Sequence, residues 1–211
     1  MLKGELFSAD MIQAYLEKRK LHTARPIKPH PVCCGTNITF KAHSDDFFLS
    51  AEKGWLRCRT CGNDPEYSRE GSNASHHYMP KYRLGDFMYA RETFCERLGN
   101  ISKGQWIYKA HKEPQDEIHQ YALDMNRWMP SIHMPRSAAR LFFRVTKVEV
   151  MRLNDVDEQF AREDGFQDED DWDAEASFRA FWKQTYGPDA IWMWVYWTEP
   201  VTKEEAYGTI N

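Results

Sequence analysis

Hydrophobic and polar positions along the chain mark out a handful of elements. Ser8 can cap a helix through MIQAYLEKR, with Met11, Ile12, Tyr15 and Leu16 as its apolar stripe. Phe7 and Ile12 are spaced to close the entry as a hydrophobic staple. Gly85-Asp86 turns the chain into FMYARETF, where Phe87, Tyr89 and Arg91 alternate with Met88, Ala90 and Glu92, as in a strand. QWIYKA (105–110) reads as another strand, and LFFRVTKVEV (141–150) as the clearest, being rich in β-branched and aromatic residues. A short helix follows, capped by Asp155 or Asp157 and ended by Gly165. Asp173 caps a longer one whose face carries Phe178, Phe181, Trp182 and Tyr186, and Gly187-Pro188 stops it. The aromatic strand IWMWVYW (191–197) closes the pattern, with Ile191, Met193, Val195 and Trp197 on one face. Both of its faces are buried, or one offers stacking surface to a base.

Between these elements the pattern breaks. Residues 30–80 read as an insertion into a single domain spanning 1–211. The insertion carries Cys33-Cys34-Gly35 and Cys58-Arg59-Thr60-Cys61-Gly62. The second is a knuckle that sets two thiolates on one side of a tight turn, so Cys33, Cys34, Cys58 and Cys61 form a candidate structural zinc site. The adjacency of Cys33 and Cys34 makes His30 or His43 an alternative ligand. Free thiols are the other reading. Ile38, Phe40, Phe47, Phe48, Leu49 and Trp55 suit a small hairpin, and Asp64–Pro80 is polar with a flexible centre. His111–Met125 is charged and irregular. WMPSIHMPRSAAR holds two prolines and is no regular helix. EDGFQDEDDWDAE (163–175) reads as a solvated acidic loop, poorly spaced for calcium.

Composition narrows the class. The chain has 211 residues, 42% of them hydrophobic, and 8 tryptophans, enough for a sizeable core. No apolar run is long enough to span a membrane, and MLKGELFSAD lacks the apolar core of a signal peptide. A cytoplasmic location is expected, which keeps the cysteines reduced. With a net charge of −4, the chain has no broad excess of basic residues. A small ligand, a nucleotide or a short RNA element fits that balance better than a duplex groove. No Walker, Rossmann or G-x-S-x-G pattern is present.

The densest basic run is LEKRKLHTARPIKP (16–29), and within it stands Lys20-x-x-Thr23-x-Arg25. On spacing alone this is a solvated turn, or an amine, a hydroxyl and a guanidinium gathered for chemistry. Neighbouring cations lower a lysine's pKa, whereas a helix C-terminus opposes that. The run resembles the G-x-K-x-x-T-x-R signature of the ASCH family, whose fold is similar to the PUA domain. The likeness is strongest to the longer ASCH proteins of phage and prophage genomes. It extends over GELFSADMIQAYLEKRKLHTAR, YRLGDFMYARETF, WMPSIHMPRSAAR, LNDVDEQFAREDGF and WMWVYW. Two positions depart from the family: Lys18 stands where Gly is usual, so the turn there is expected to be shaped differently. Asp164 stands where the family has Glu before Gly.

The resemblance implies an α+β fold, a PUA-like, mostly antiparallel β-barrel with surrounding helices and the Cys-rich insertion. It implies a modified nucleoside or short RNA as ligand. Some ASCH proteins hydrolyse N4-acetylcytidine to cytidine and acetate. Here Lys20 would be the base, Thr23 the nucleophile or orienter, and Asp164 the carboxylate partner. Arg25, Arg91, Glu92, His133 and Arg136 would contact the ligand. Arg91 with Glu92 can equally be an exposed ion pair, and His133 a satisfied structural residue. The alternatives are an RNA-binding module without turnover, or a phage protein acting on a host partner.

Overall fold

A computed structural model of the chain describes residues 1–29, 31, 47–59, 62, 64–68, 75–96, 106–110, 120, 128–168 and 172–208. In chain order the strands are β1 (Leu2–Leu6), β2 (His22–Pro26), β3 (Phe47–Leu49), β4 (Leu56–Cys58), β5 (Glu66–Ser68) and β6 (Ser75–His77). They continue with β7 (Phe87–Arg91), β8 (Phe94–Glu96), β9 (Trp106–Tyr108), β10 (Phe142–Arg152) and β11 (Trp192–Val201). Helices cover Ala9–Leu16, Glu158–Glu163, Ala174–Tyr186 and Lys203–Gly208. The fold is α+β with a mixed sheet. Its hydrogen-bonded order is β1-β7-β10-β11-β2, with β1 parallel to β7, and β10 and β11 antiparallel to β7 and β2 respectively. Among the described strands this order is open and closes no barrel, unlike the expectation.

The chain divides into two compact units. The first comprises Met1–Leu21, Gly85–Val145 and Thr198–Asn211; the second comprises His22–Leu84 and Thr146–Trp197. The region expected to be an insertion is thus built into the second unit.

In the first unit, Ser8 caps helix Ala9–Leu16 by accepting from the Met11 N–H at 3.3 Å. The buried face is narrower than the stripe suggested: Ile12 and Ala14 are buried, whereas Leu16 is exposed. Phe7 meets the ring of Tyr15 edge-on at 5.4 Å. The helix ends in a Schellman turn. The Lys18 N–H donates to Tyr15 O and the Arg19 N–H to Ala14 O, with Lys18 in the left-handed region at φ 59. Lys18 thus holds a conformation that favours glycine. Phe87, Ala139, Phe142 and Ala206 form one apolar cluster, and Phe94, Met134 and Ala138 another.

The second unit is organised on β11, both of whose faces are buried. Met193 and Val195 pack with Ala24, Phe160, Phe178 and Trp182 against the helices, while Trp194 and Tyr196 are buried on the other face. Asp157 and Asp173 cap their helices by accepting from Phe160 N and Ala176 N, both at 2.7 Å. Helix Glu158–Glu163 ends in a second Schellman turn, Gly165 N–H to Arg162 O and Phe166 N–H to Ala161 O, with Gly165 at φ 101. Strand β3 pairs with β4, and its Phe47 ring meets Trp192 edge-on at 5.2 Å. Tyr82 is fully buried against Tyr196. A further hairpin, β5 with β6, falls in the stretch read as polar with a flexible centre.

Candidate functional site

The four residues expected to share one cleft are divided between the units. Lys20 belongs to the first; Thr23, Arg25 and Asp164 belong to the second. The basic run is not a uniformly solvated turn. Lys18 and Leu21 are exposed, but Lys20 is 3% exposed, and its backbone N–H continues the helix cap onto Ala14 O at 3.1 Å. Lysine is almost never this buried without a compensating environment. Part of that environment is the face of Tyr15, whose ring centre lies 5.6 Å from the Lys20 Nζ.

In the second unit β2 alternates, so successive side chains point to opposite faces. His22 and Ala24 turn toward the helices; Thr23 and Arg25 turn the other way. Thr23 is fully buried, and its Oγ1 accepts from Arg25 Nη1 at 2.8 Å. The same Nη1 donates to Ala24 O at 2.7 Å, which fixes the guanidinium over the strand. A cation held on a hydroxyl oxygen favours loss of its proton and would stabilise a developing negative charge.

Asp164 is also buried, held where the Schellman turn at Gly165 ends its helix. Its Oδ1 lies 3.1 Å from Nδ1 of His22, and both side chains are shielded from solvent. The two atoms approach closely without the geometry of a directed hydrogen bond. Phe160 and Trp197 wall the imidazole at 4.1 and 4.7 Å between ring centres. His22 escaped the sequence reading although it sits inside the motif between Lys20 and Thr23. Its strand parity, shared with the core residue Ala24, is the clue that could have found it.

In the first unit Arg91 and Glu92 part company. Met88, Ala90 and Glu92 continue one buried face, so the carboxylate is carried into the interior at 1% exposure. Arg140 meets it there with Nε to Oε1 at 2.8 Å and Nη2 to Oε2 at 2.9 Å, a bidentate pair. Glu92 is therefore neither half of an exposed pair with Arg91 nor a solvent-facing ligand contact. Arg140 also stacks over Tyr108, with 4.1 Å from Cζ to the ring centre, and the Tyr108 hydroxyl donates to Ala138 O at 2.7 Å. Burial pushes the Tyr108 phenol up to about 12; Arg140 opposes this and Glu92 adds to it. Arg91 instead donates through Nη2 to the Ile132 carbonyl. His133 is exposed at the end of a 3-10 turn, Ser131–His133. Arg136 opens the next turn, with Cζ 4.2 Å from the ring centre of Tyr207.

Of the proposed zinc ligands, Cys33, Cys34 and Cys61 lie outside the described residues, as do His30 and His43. Cys58 is fully buried at the end of β4, and the turn after it is closed by the Gly62 N–H on Cys58 O at 2.9 Å, with Gly62 at φ 70. That tight turn suits a cysteine knuckle. Among the described residues no three His, Cys, Asp or Glu side chains gather to hold a metal. Beside it, Asp64 accepts from Lys53 at 3.0 Å and Arg57 at 2.8 Å. The Lys53 hydrogen bond holds its carboxyl below the usual range, with Trp55 and Arg57 adding to the effect. No helix among the described residues is long and apolar enough to cross a membrane.

Compared with family models, curated proteins and solved structures, the chain matches none.

Proposed function

We propose that this chain is a diverged ASCH-type protein of the PUA-like kind that binds a modified nucleoside or short RNA and hydrolyses N4-acylcytidine. The observation that carries the reading is the burial of Lys20 within an otherwise cationic, solvent-facing run. A surface turn has no reason to bury its ammonium, whereas a base that works on a bound ligand must be shielded from bulk water. The left-handed Lys18 adds support, because it keeps the turn that the family reserves for glycine.

In this reading Lys20 takes the proton of the attacking group, which is the Thr23 hydroxyl or a water that it orients. The acyl carbonyl carbon gains the new C–O bond, Arg25 offsets the negative charge on the carbonyl oxygen, and the C–N4 bond breaks. The proton passes to N4 of the leaving cytidine; where water attacks, acetate is the other product, and where Thr23 attacks, a water then hydrolyses the acyl-threonine ester to acetate and restores the hydroxyl. Asp164 is the carboxylate partner, with His22 against it. The protein acts in the cytoplasm, that of the host if the chain is phage-encoded, and the Cys58 knuckle binds a structural zinc with Cys33, Cys34 and Cys61.

One observation favours a second reading. Asp164 approaches His22, whereas Thr23 sits on the opposite face of β2 with Arg25. A protein that kept the pocket but lost the reaction would recognise RNA or a modified base without turnover. Incubation with N4-acetylcytidine and longer N4-acyl analogues, followed by chromatography, separates the two. The hydrolase releases cytidine. A protein that releases none, yet binds RNA with an affinity that depends on Lys20, is a reader.

A further inference from the structure

Several of the described arginines are paired with acids. Arg57, Arg140, Arg144, Arg162 and Arg179 each hold a carboxylate. Arg91 and Arg136, both in the first unit, do not. Nε and Nη2 of Arg136 are buried atoms with no hydrogen-bond acceptor among the described residues, and so is Nε of Arg91. Leaving such donors unmet is costly, more so on a charged group, and native structures rarely do it without a reason.

Both guanidiniums are also held in place. Arg136 is stacked on Tyr207, which removes much of its rotamer freedom. Arg91 is tied to the Ile132 carbonyl and runs against Gly4, where an added Cβ would lie 2.7 Å from its Cδ. Glycine there is what lets the arginine pass. Ile132, the anchor for Arg91, is only a few residues from Arg136, and that short segment is open to solvent at Ile132 and His133. Two pinned cations with no counter-charge among the described residues thus serve one exposed segment of a chain whose net charge is −4. The edge of Arg136 that lacks an acceptor, Nε with Nη2, is the one that takes a phosphate through two parallel hydrogen bonds.

We infer that Arg136 and Arg91 form a phosphate-binding site, so that the chain takes a phosphate-bearing nucleic acid, a short single-stranded RNA, as a ligand. The inference rests on the nucleoside-or-RNA reading for the base but not for the phosphate. Arg136 grips a backbone phosphate side-on, and Arg91 adds a second contact. Both side chains are partly exposed, so the oxyanion arrives from solvent.

The test is the affinity of a short single-stranded oligoribonucleotide over a range of salt concentrations. Arg136→Gln and Arg91→Gln are each expected to weaken binding about tenfold. Each should also reduce the salt slope by about 0.7, the value for one phosphate contact on a single strand. Arg136→Lys keeps the charge and should retain part of the affinity, which separates loss of the contact from loss of the fold. Arg162→Gln, a change on the acid-paired surface, should bind as wild type does. Wild-type affinity and slope in both glutamine variants would overturn the inference. So would a wild-type protein that binds neither the oligoribonucleotide nor inorganic pyrophosphate. RNA binding that survives Lys20→Ala but is lost in Arg136→Gln supports the phosphate site while removing the Lys20 reading; the reverse pattern does the opposite.

Discussion

Lys18 holds a backbone conformation that a side chain makes expensive. A residue with a Cβ at positive φ costs roughly 1–2 kcal/mol, and glycine avoids this while losing about 0.5–1 kcal/mol to its freer unfolded state. Lys18→Gly should therefore raise stability by up to about 1 kcal/mol, seen as a higher urea midpoint at unchanged slope. A lower midpoint would show that the lysine side chain contributes something the turn needs. The lysine disguised this turn in the sequence, because nothing in its side chain marks it as left-handed. Lys20 illustrates the opposite difficulty. Its residue type and neighbours read as surface, and only the Schellman turn, set by backbone hydrogen bonds to Tyr15 and Ala14, takes it out of solvent. His22 was hidden for the same reason, since a lone histidine in a basic run carries no mark of burial.

Among the elements, β7 shows how a strand's parity creates a demand that another element must meet. The face of Met88 and Ala90 continues into Glu92, so a carboxylate enters the interior and Arg140 has to follow it. Arg140→Leu leaves that charge buried and unpaired and should cost about 3–5 kcal/mol in a denaturation experiment. The pair also fixes the surroundings of Tyr108. Its phenol ionises near 10 when unfolded and at about 12 when folded, so the folded state holds this proton more tightly. The stabilisation is complete below about pH 10 and fades as pH rises from there to about 12, by roughly 2 kcal/mol after allowance for partial exposure. Tyr108→Phe should lose less stability than wild type across that alkaline window. Equal losses would mean that this phenol is not the group responsible. The alternation of β7 was plain in the sequence, and so were β10 and β11, whose apolar runs leave no other reading. The hairpin of β5 and β6 was not, because Glu66–Ser68 and Ser75–His77 contain no apolar alternation. Packing supplies what the pattern lacks: His77 stacks on Trp55 at 4.3 Å, an indole from an earlier strand connection.

At the scale of the molecule, the sequence indicated a mixture of strands and helices but not their assembly. The parallel pairing of β1 with β7 joins residues more than eighty positions apart, and no local pattern encodes it. The stretch read as an insertion packs Phe47 on Trp192, an aromatic contact within the second unit. If zinc secures that region, purified protein should carry about one ion per chain, and Cys58→Ser should lose it. Elemental analysis that finds no zinc in protein prepared without chelator would leave the aromatic contacts to hold the region alone.

The central claim, the proposal that the chain hydrolyses N4-acylcytidine with Lys20 as its base, concerns the reaction itself. It is tested most directly by the rate of cytidine release from N4-acetylcytidine by wild type, Lys20→Ala, Thr23→Ala and Asp164→Glu. Loss of the general base should slow release by about a hundredfold to ten-thousandfold. Thr23→Ala should slow it comparably with the fold intact by circular dichroism, and Asp164→Glu should match or exceed wild type by restoring the family's carboxylate. Release that is absent in wild type, or that persists undiminished in Lys20→Ala, would contradict the account.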